Sequence, residues 1–529
     1  MTDKVFGVDL GTTYSAVAHQ NEFGQPEVIQ NLDGQQTTPS VVYFEDEDSF
    51  VVGQEAKNGL QLNPEESMAL IKRRMGERFE VEYHGKKFTP ESISALILRQ
   101  LVETAQEMTG SDSKKVVITV PAYFGLVEKE ATRQAGVIAG LDVVGILAEP
   151  IAAALSAGVK PGLEQTILVY DLGGGTFDST VMEITKDSVE VLSVDGDRRL
   201  GGADWDDALF NLVLEKFVEQ AGLDSAPTYD LEFVQELMTN VEDAKKSLTK
   251  RQSAKIRCSY EDAKEMIEVT REEFESVSQD LVDRTLQVVK RTLEAAEQKR
   301  PGLKIDKYLL VGGSSRMPMI QNCLEKEFGW ELTLTEFDLA VAKGAAIYGQ
   351  GAMDFAEAEE SSSQSSAQPK FQLGGEQGGP ALTIKNILSK AVGVKFFDPE
   401  ADRFYIGHFF KQGEELPAET KQQACCAQDN TRRLPVHLYE QDGEVASEEL
   451  AANKEITPEG GACFDDLPNL PKGAPIEMTM RIDSEGLLEF VGYEPKSAQT
   501  LELKVKVSTL QPEEVESATV LVGSMVRAD

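Results

Sequence analysis

Two stretches of this 529-residue chain share one plan. "KVFGVDLGTTYS" (Lys4–Ser15) and "TILVYDLGGGTFDS" (Thr166–Ser179) each run from a short apolar strand into Asp-Leu-Gly and then threonine. Glycines in such numbers make a poor strand and a poor helix. They leave backbone N–H groups bare and let a ligand approach where a Cβ would stand, which suits phosphate. A carboxylate ending the strand can then hold Mg²⁺ through water, because Mg²⁺ gives up its waters reluctantly and takes one or two carboxylates beside phosphate oxygens. Asp9 and Asp171 occupy that place, and Thr12, Thr13 and Thr176 offer hydroxyls. Two such units predict an internal duplication with a nucleotide clamped between its halves. "VGGSSRMP" (Val311–Pro318) is a third glycine turn after a strand and predicts the nucleoside side. One such turn alone could be a tight hairpin; two matched units and a third argue otherwise. Neither a P-loop nor a G-x-G-x-x-G after a strand is present, so the usual mononucleotide and dinucleotide folds are not supported.

The apolar runs "VVITV" (Val116–Val120), "TILVY" (Thr166–Tyr170) and "KYLLV" (Lys307–Val311) predict buried strands. Thr89-Pro90-Glu91 predicts a helix start. Helical spacing predicts one long amphipathic helix over Arg271–Gln298. Strands alternating with helices point to α/β layers over residues 1–350. Residues 351–381, rich in Ser, Gln, Gly and Glu, read as a flexible polar linker. From 382 to 508, period-two alternation and turn signals such as Asp483–Gly486 predict an all-β domain, and 509–529 a short tail.

A net charge of −38 excludes nucleic-acid backbone binding as the main activity. Five cysteines with no C-x-x-C argue against a zinc site or disulfide framework and fit a reducing compartment. No signal peptide begins the chain, and no apolar run reaches the ~18 residues of a membrane span. A cytoplasmic protein is expected.

In family order, "GVDLGTTYS", "IKRRMG", "VITVPAYF", "AEPIAAAL", "VYDLGGGTFD", "RLGGADWD", "VEDAKKSLT" and "LLVGGSSRMPMI" resemble the DnaK-type heat-shock chaperones, the seventy-kilodalton class of the actin-like ATPase superfamily. "AQDNTRRLPVHLYEQDGE" and "IDSEGLLEF" resemble that family's peptide-binding β-sandwich. The resemblance implies a duplicated ribonuclease H-like ATPase domain before the sandwich, with ATP and Mg²⁺ as ligands. It implies a first phosphate loop of Gly11, Thr12, Thr13 and Tyr14, and a second of Gly174 and Gly175. Asp9 and Asp171 would orient hydrated Mg²⁺, Lys72 would hold the γ-phosphate and attacking water, and Glu149 and Thr176 would complete the catalytic set. Glu242, Lys245, Lys246, Thr249, Gly313, Ser314, Arg316 and Asp338 would meet ribose and base. By position, Val394, Phe397, Ala427, Leu434 and Val436 would line the peptide cleft, though they serve equally as sandwich core. Taken singly, Lys72 in "KRR" could be a solvated cation, Glu149 a strand end and Asp338 a helix cap; the motif context carries their roles.

The sequence departs from the family around the interdomain switch, implied to be Pro121 and position 129. Gly125 replaces a polar residue, "LVEKE" follows, Lys129 replaces an arginine and so loses its planar fork, and Ile151 replaces a threonine. "LTIKNILSK" (Leu382–Lys390) is the nearest match to the family's docking linker, with Leu382, Ile384, Ile387 and Leu388 as docking residues. No counterpart of the helical lid is expected. The implied function is an ATP-driven chaperone binding apolar segments of unfolded proteins, with J-domain and nucleotide-exchange co-chaperones as partners. The rivals are an ATP-switched adaptor for one dedicated partner, or another actin-like ATPase such as a sugar kinase or filament former.

Overall fold

The computed structural model describes residues 4–158, 164–360, 370–372, 381–443, 445–457, 462–484, 486–505 and 510–528. Its first sheet runs in the order Asp142–Ala148, Lys115–Val120, Phe6–Asp9, Tyr14–Gln20, Pro26–Ile29. Its second contains the same arrangement: Leu332–Leu334, Lys307–Val311, Gln165–Leu172, Phe177–Ile184, Ser188–Asp197. In each, the strand bearing the aspartate pairs antiparallel with its hairpin partner and parallel with the strand on its other side. The two sheets thus share one strand order and one pattern of strand direction around the aspartate-bearing strand. The central strands are apolar on both faces because helices cover both, as sheets with parallel crossovers require. The helix Ala340–Glu360 packs across the first sheet and against the helix Glu149–Ser156. The approach is so close that a Cβ on Gly344 would lie 1.7 Å from the Ala152 carbonyl oxygen.

The expected strands form as Lys115–Val120, Gln165–Leu172 and Lys307–Val311. Thr89 caps Pro90–Thr109, accepting from the Ser92 N–H, while the Ser92 hydroxyl accepts from the Thr89 N–H. The single helix expected over Arg271–Gln298 is instead two, Arg271–Val277 and Gln279–Lys299. Ser278 breaks it: the buried hydroxyl donates to the Phe274 carbonyl at 2.7 Å while the backbone leaves helical geometry. Local hydroxyl bonding of this kind competes with the helix ladder, and spacing alone does not reveal it.

Beyond residue 381, two four-stranded sheets face each other. One is Arg403–Phe410, Val392–Asp398, Leu438–Gln441, Asn453–Glu455; the other Ala418–Cys425, Pro475–Ile482, Leu488–Glu494, Gln499–Val505. They share a core that includes Val392, Phe410, Leu438, Ile476, Met480 and Phe490. The Asp483–Gly486 turn joins two of these strands, with Gly486 at φ 90° and the Asp483 carboxylate accepting from the Leu487 N–H.

The joining segment differs from a free linker at both described ends. The helix Ala340–Glu360 continues past residue 350, and Lys370–Gln372 is a strand; the rest of the expected linker, 361–369 and 373–380, lies outside the described residues. Ala381–Lys385 adds in parallel to the edge of the second sheet, Val189 opposite Ile384. Leu382, Ile384, Ile387 and Leu388 are all buried, the first three against the second sheet's core and Leu388 in the sandwich core. The chain after the sandwich is not a bare tail either. Pro512–Ser524 is a helix packed on Pro90–Thr109 and Leu126–Ile138, and Val526–Arg527 pairs in parallel with Ser49–Val52. Leu510, Val522 and Met525 join the first lobe's core.

Candidate nucleotide site

The two aspartate-bearing strands end at the same level, so their hairpin loops face each other across a cleft. The cavity there holds about 840 Å³. Of the nucleotide and metal residues expected from sequence, all but Gly175 line it: Asp9, Gly11, Thr12, Thr13, Tyr14, Lys72, Glu149, Asp171, Gly174, Thr176, Glu242, Lys245, Lys246, Thr249, Gly313, Ser314, Arg316 and Asp338. Gly175 lies just behind, and the glycines there are sterically required. A Cβ on Gly174 would stand 1.9 Å from the Thr13 hydroxyl, and one on Gly175 2.3 Å from the Thr12 methyl.

At the floor, Lys72 and Glu149 form a buried ion pair of 2.7 Å. The Lys72 ammonium also lies 5.9 Å from the centre of the Phe124 ring. The Thr119 hydroxyl donates to Asp9 at 3.2 Å. Burial lifts the Asp9 carboxyl to about 7, with Glu149 adding to the shift and Lys72 opposing it. Burial likewise pushes Asp171 up, and then the charges of Asp178, Glu149 and Asp9 add to it. Glu149, Asp171 and Asp178 bring one carboxylate oxygen each within 4.8 Å of one another, all buried. Asp178 carried no assignment from sequence, although it closes "GGGTFD". Its role comes from register: Asp171 and Asp178 are direct partners across the antiparallel hairpin.

The outer wall is cationic. Glu242 pairs with Lys57 at 2.5 Å and Lys246 at 2.6 Å, and the Tyr14 hydroxyl donates to it at 3.0 Å. Against the cost of burial, those lysines hold the Glu242 carboxyl down at about 2. Lys245 pairs with Asp206 at 2.7 Å. Arg316 meets Asp338 at 2.6 Å, its guanidinium 4.6 Å from the centre of the Phe337 ring. Lys57 and Asp206 also carried no assignment from sequence: Lys57 comes from a neighbouring helix outside any glycine motif, and Asp206, although it closes "RLGGADWD", reaches the cleft from one turn into the helix Gly202–Ala221.

Of the residues assigned to the peptide cleft, Val394 and Val436 are buried in the sandwich core. Phe397, Ala427 and Leu434 are half-buried, Phe397 packing on the Phe404 ring at 5.2 Å. Pro121 ends the strand Lys115–Val120 and is buried. Lys129 is half-buried by surface exposure, on the helix Leu126–Ile138 that faces the sandwich. Desolvation lowers its pKa, and Glu440 and Glu128 oppose that.

The family model for Hsp70 protein matches residues 5–82 and 79–355. The chain belongs to the Hsp70 family. It is 34% identical over 499 residues to a chaperone protein DnaK of Thermosipho melanesiensis, covering 92% of this chain and 77% of that one. A chaperone protein DnaK of Thermotoga maritima is 34% identical over 500 residues, with the same coverage. One from Halobacterium salinarum is 35% identical over 499 residues, covering 92% and 72%. Hsp70 proteins are ATPases, and the cleft lies in the part matched by the family model.

Proposed function

We propose that this chain is an ATP-dependent chaperone of the DnaK type, on an actin-like ATPase fold, hydrolysing ATP in the cleft and binding exposed apolar segments of unfolded proteins on its β-sandwich. The observation that carries the reading is the buried Lys72–Glu149 pair set among Asp9, Asp171 and Asp178, between two loops whose Gly11, Gly174 and Gly175 leave no room for a Cβ. Glu149, Asp171 and Asp178 are crowded within 4.8 Å, and burial with the neighbouring charges pushes both aspartates upward, a strain that a divalent cation relieves, so the donor set fits Mg²⁺. Asp9, Asp171 and Asp178 would hold it, through water. When bound, Mg²⁺ supplies charge neutralisation at the phosphate oxygens.

The chain's own groups do the rest by position. The N–H groups and hydroxyls of Gly11–Thr13 and Gly174–Thr176 cradle phosphates. Lys72, oriented by Glu149, donates to the transferring phosphoryl group and the attacking water. Little covalent help is needed when the charge developing in line is met by fixed donors. Glu242, Lys245, Lys246, Thr249, Gly313, Ser314, Arg316 and Asp338 take ribose and base. Phe397, Ala427 and Leu434, still partly exposed, would meet the peptide, which binds extended by strand-like bonds. J-domain and nucleotide-exchange proteins are the expected co-chaperones.

Phosphate release by Lys72→Ala tests the site. The account expects turnover to fall about 100-fold or more, the scale of losing one preorganised donor, with ATP still bound. Turnover at the parent rate in that variant removes the assigned role.

A further inference from the structure

The departures at residues 125–129 lie against the sandwich, while Ile151 packs elsewhere, on the helix Glu149–Ser156. Gly125, Leu126 and Glu128 begin the helix that faces the sandwich, and Glu440 of the sandwich reaches into its first turn. Its carboxylate accepts from the Leu126 N–H at 2.8 Å. A Cβ on Gly125 would stand 2.5 Å from that carboxylate, which explains the glycine. Lys390, from the segment joining the domains, meets Glu128 at 2.9 Å and Glu440 at 3.9 Å. Glu128 and Glu440 are buried, and Glu128 also accepts from the Gly125 N–H at 3.1 Å.

A second cation reaches Glu128 from the opposite lobe. Arg198 lies in the turn between the strand Ser188–Asp197 and the helix Gly202–Ala221. Its guanidinium is 3.5 Å from Glu128 and 3.6 Å from Glu77, and it donates to the Arg73 carbonyl at 3.4 Å. Arg73 in turn donates to the Gly175 carbonyl, in the second phosphate loop, at 2.9 Å. It also pairs at 2.6 Å with Asp204, which accepts from the Gly201 N–H. An unbroken run of polar contacts thus joins Gly175 to Arg73, Arg198, Glu128, Lys390 and Glu440. It crosses from one lobe to the other and then to the sandwich.

We propose that Arg198 is the positioning residue through which the second phosphate loop sets the docking of the sandwich, with Glu128 as its receiver and Lys390 and Glu440 as the latch. Two buried carboxylates meet there, ion-paired by Arg198 and Lys390. Removing Arg198 leaves Glu128 and Glu440 with Lys390 as their shared ion-pair partner and only the weaker charges of Lys454 and Lys129 beside it, and buried carboxylates without sufficient counter-charge do not stay docked. A shift of the Gly175 loop moves Arg73, and with it the carbonyl on which Arg198 rests.

The proposal rests on the ATPase-chaperone reading, and its test separates the two. In the full chain, hydrogen exchange is followed at the Ala381–Lys385 amides, with ATP and with ADP, for the parent, Arg198→Met, Arg198→Lys, Glu128→Gln and Arg198→Met/Glu128→Gln. Basal ATP turnover is measured alongside. The expected result is an ATP-to-ADP protection ratio reduced about tenfold in Arg198→Met and in Glu128→Gln, partly kept in Arg198→Lys, with basal turnover within about twofold of the parent. The double variant should lose no more than either single, the signature of residues acting as one unit. A parent ratio retained in Arg198→Met, or losses that simply add in the double variant, overturns the relay alone. A parent chain with no difference between ATP and ADP overturns both the relay and the coupled-chaperone reading beneath it.

Discussion

Burial decides the chemistry of single residues in this chain. Asp9 stands at about 7 because its carboxylate loses water on a strand end and feels Glu149, with Lys72 as partial compensation. A group raised in this way is protonated below that value, whereas cation binding needs it ionised. Mg·nucleotide binding is therefore expected to release protons and to tighten as pH rises through about 7. Calorimetry in buffers of different ionisation enthalpy checks this; a heat independent of buffer contradicts it. The same physics orders the thiols. Burial, and then Glu236, pushes Cys258 up to about 12, while Cys425 is exposed. A thiol reagent should label Cys425 in the native protein and reach Cys258 only on unfolding. Native labelling of Cys258 at a comparable rate would show that its strand is not closed. Most of the nucleotide residues were legible because they sit in contiguous motifs, where one glycine unit brings its neighbours along. Asp178, Lys57, Arg73 and Arg198 were not. Asp178 and Arg73 sit inside quoted motifs, yet their contacts come from strand register and from the facing loop, while neighbouring elements deliver Lys57 and Arg198; linear order encodes none of these contacts.

Elements show where local pattern suffices and where packing overrides it. Lys307–Val311 reads as a buried strand from its residues alone, and Thr89-Pro90 marks its helix start by capping chemistry. Arg271–Lys299 misled because helical spacing runs through Ser278 while its hydroxyl ends the first helix. The terminal segment was missed for a different reason. Pro512–Ser524 is too short to hold a helix in water by itself; it folds against Pro90–Thr109 and Leu126–Ile138, and nothing local announces that partner. Val522 is 1% exposed in that contact, and its carbonyl accepts from Arg99 at 2.7 Å. Val522→Asp should destabilise the first lobe by about 3 kcal/mol or more, lost apolar burial plus an unpaired buried carboxylate. Denaturant melting of the full chain measures it, and an unchanged midpoint would mean that the helix contributes no stability where it lies.

Across the whole molecule, the connections that bind the sandwich to the ATPase half include the strand Ala381–Lys385 on the second sheet, the Glu128–Lys390–Glu440 cluster, and the terminal helix on the first lobe. Lys454 of the sandwich adds a bond to the Gly76 carbonyl. The sequence suggested looser coupling, because a long polar segment separates the halves and the switch region departs from its family. The described contacts show the changed helix start meeting the sandwich and the joining segment instead, Gly125 making room for Glu440 and Lys390 filling the space between two carboxylates. Nucleotide in the cleft and peptide on the sandwich should therefore sense each other. Release of a labelled apolar heptapeptide from the full chain, with and without Mg·ATP, tests this most directly. The account predicts that Mg·ATP speeds release at least several-fold; peptide that binds and then leaves at the same rate with or without Mg·ATP would contradict it.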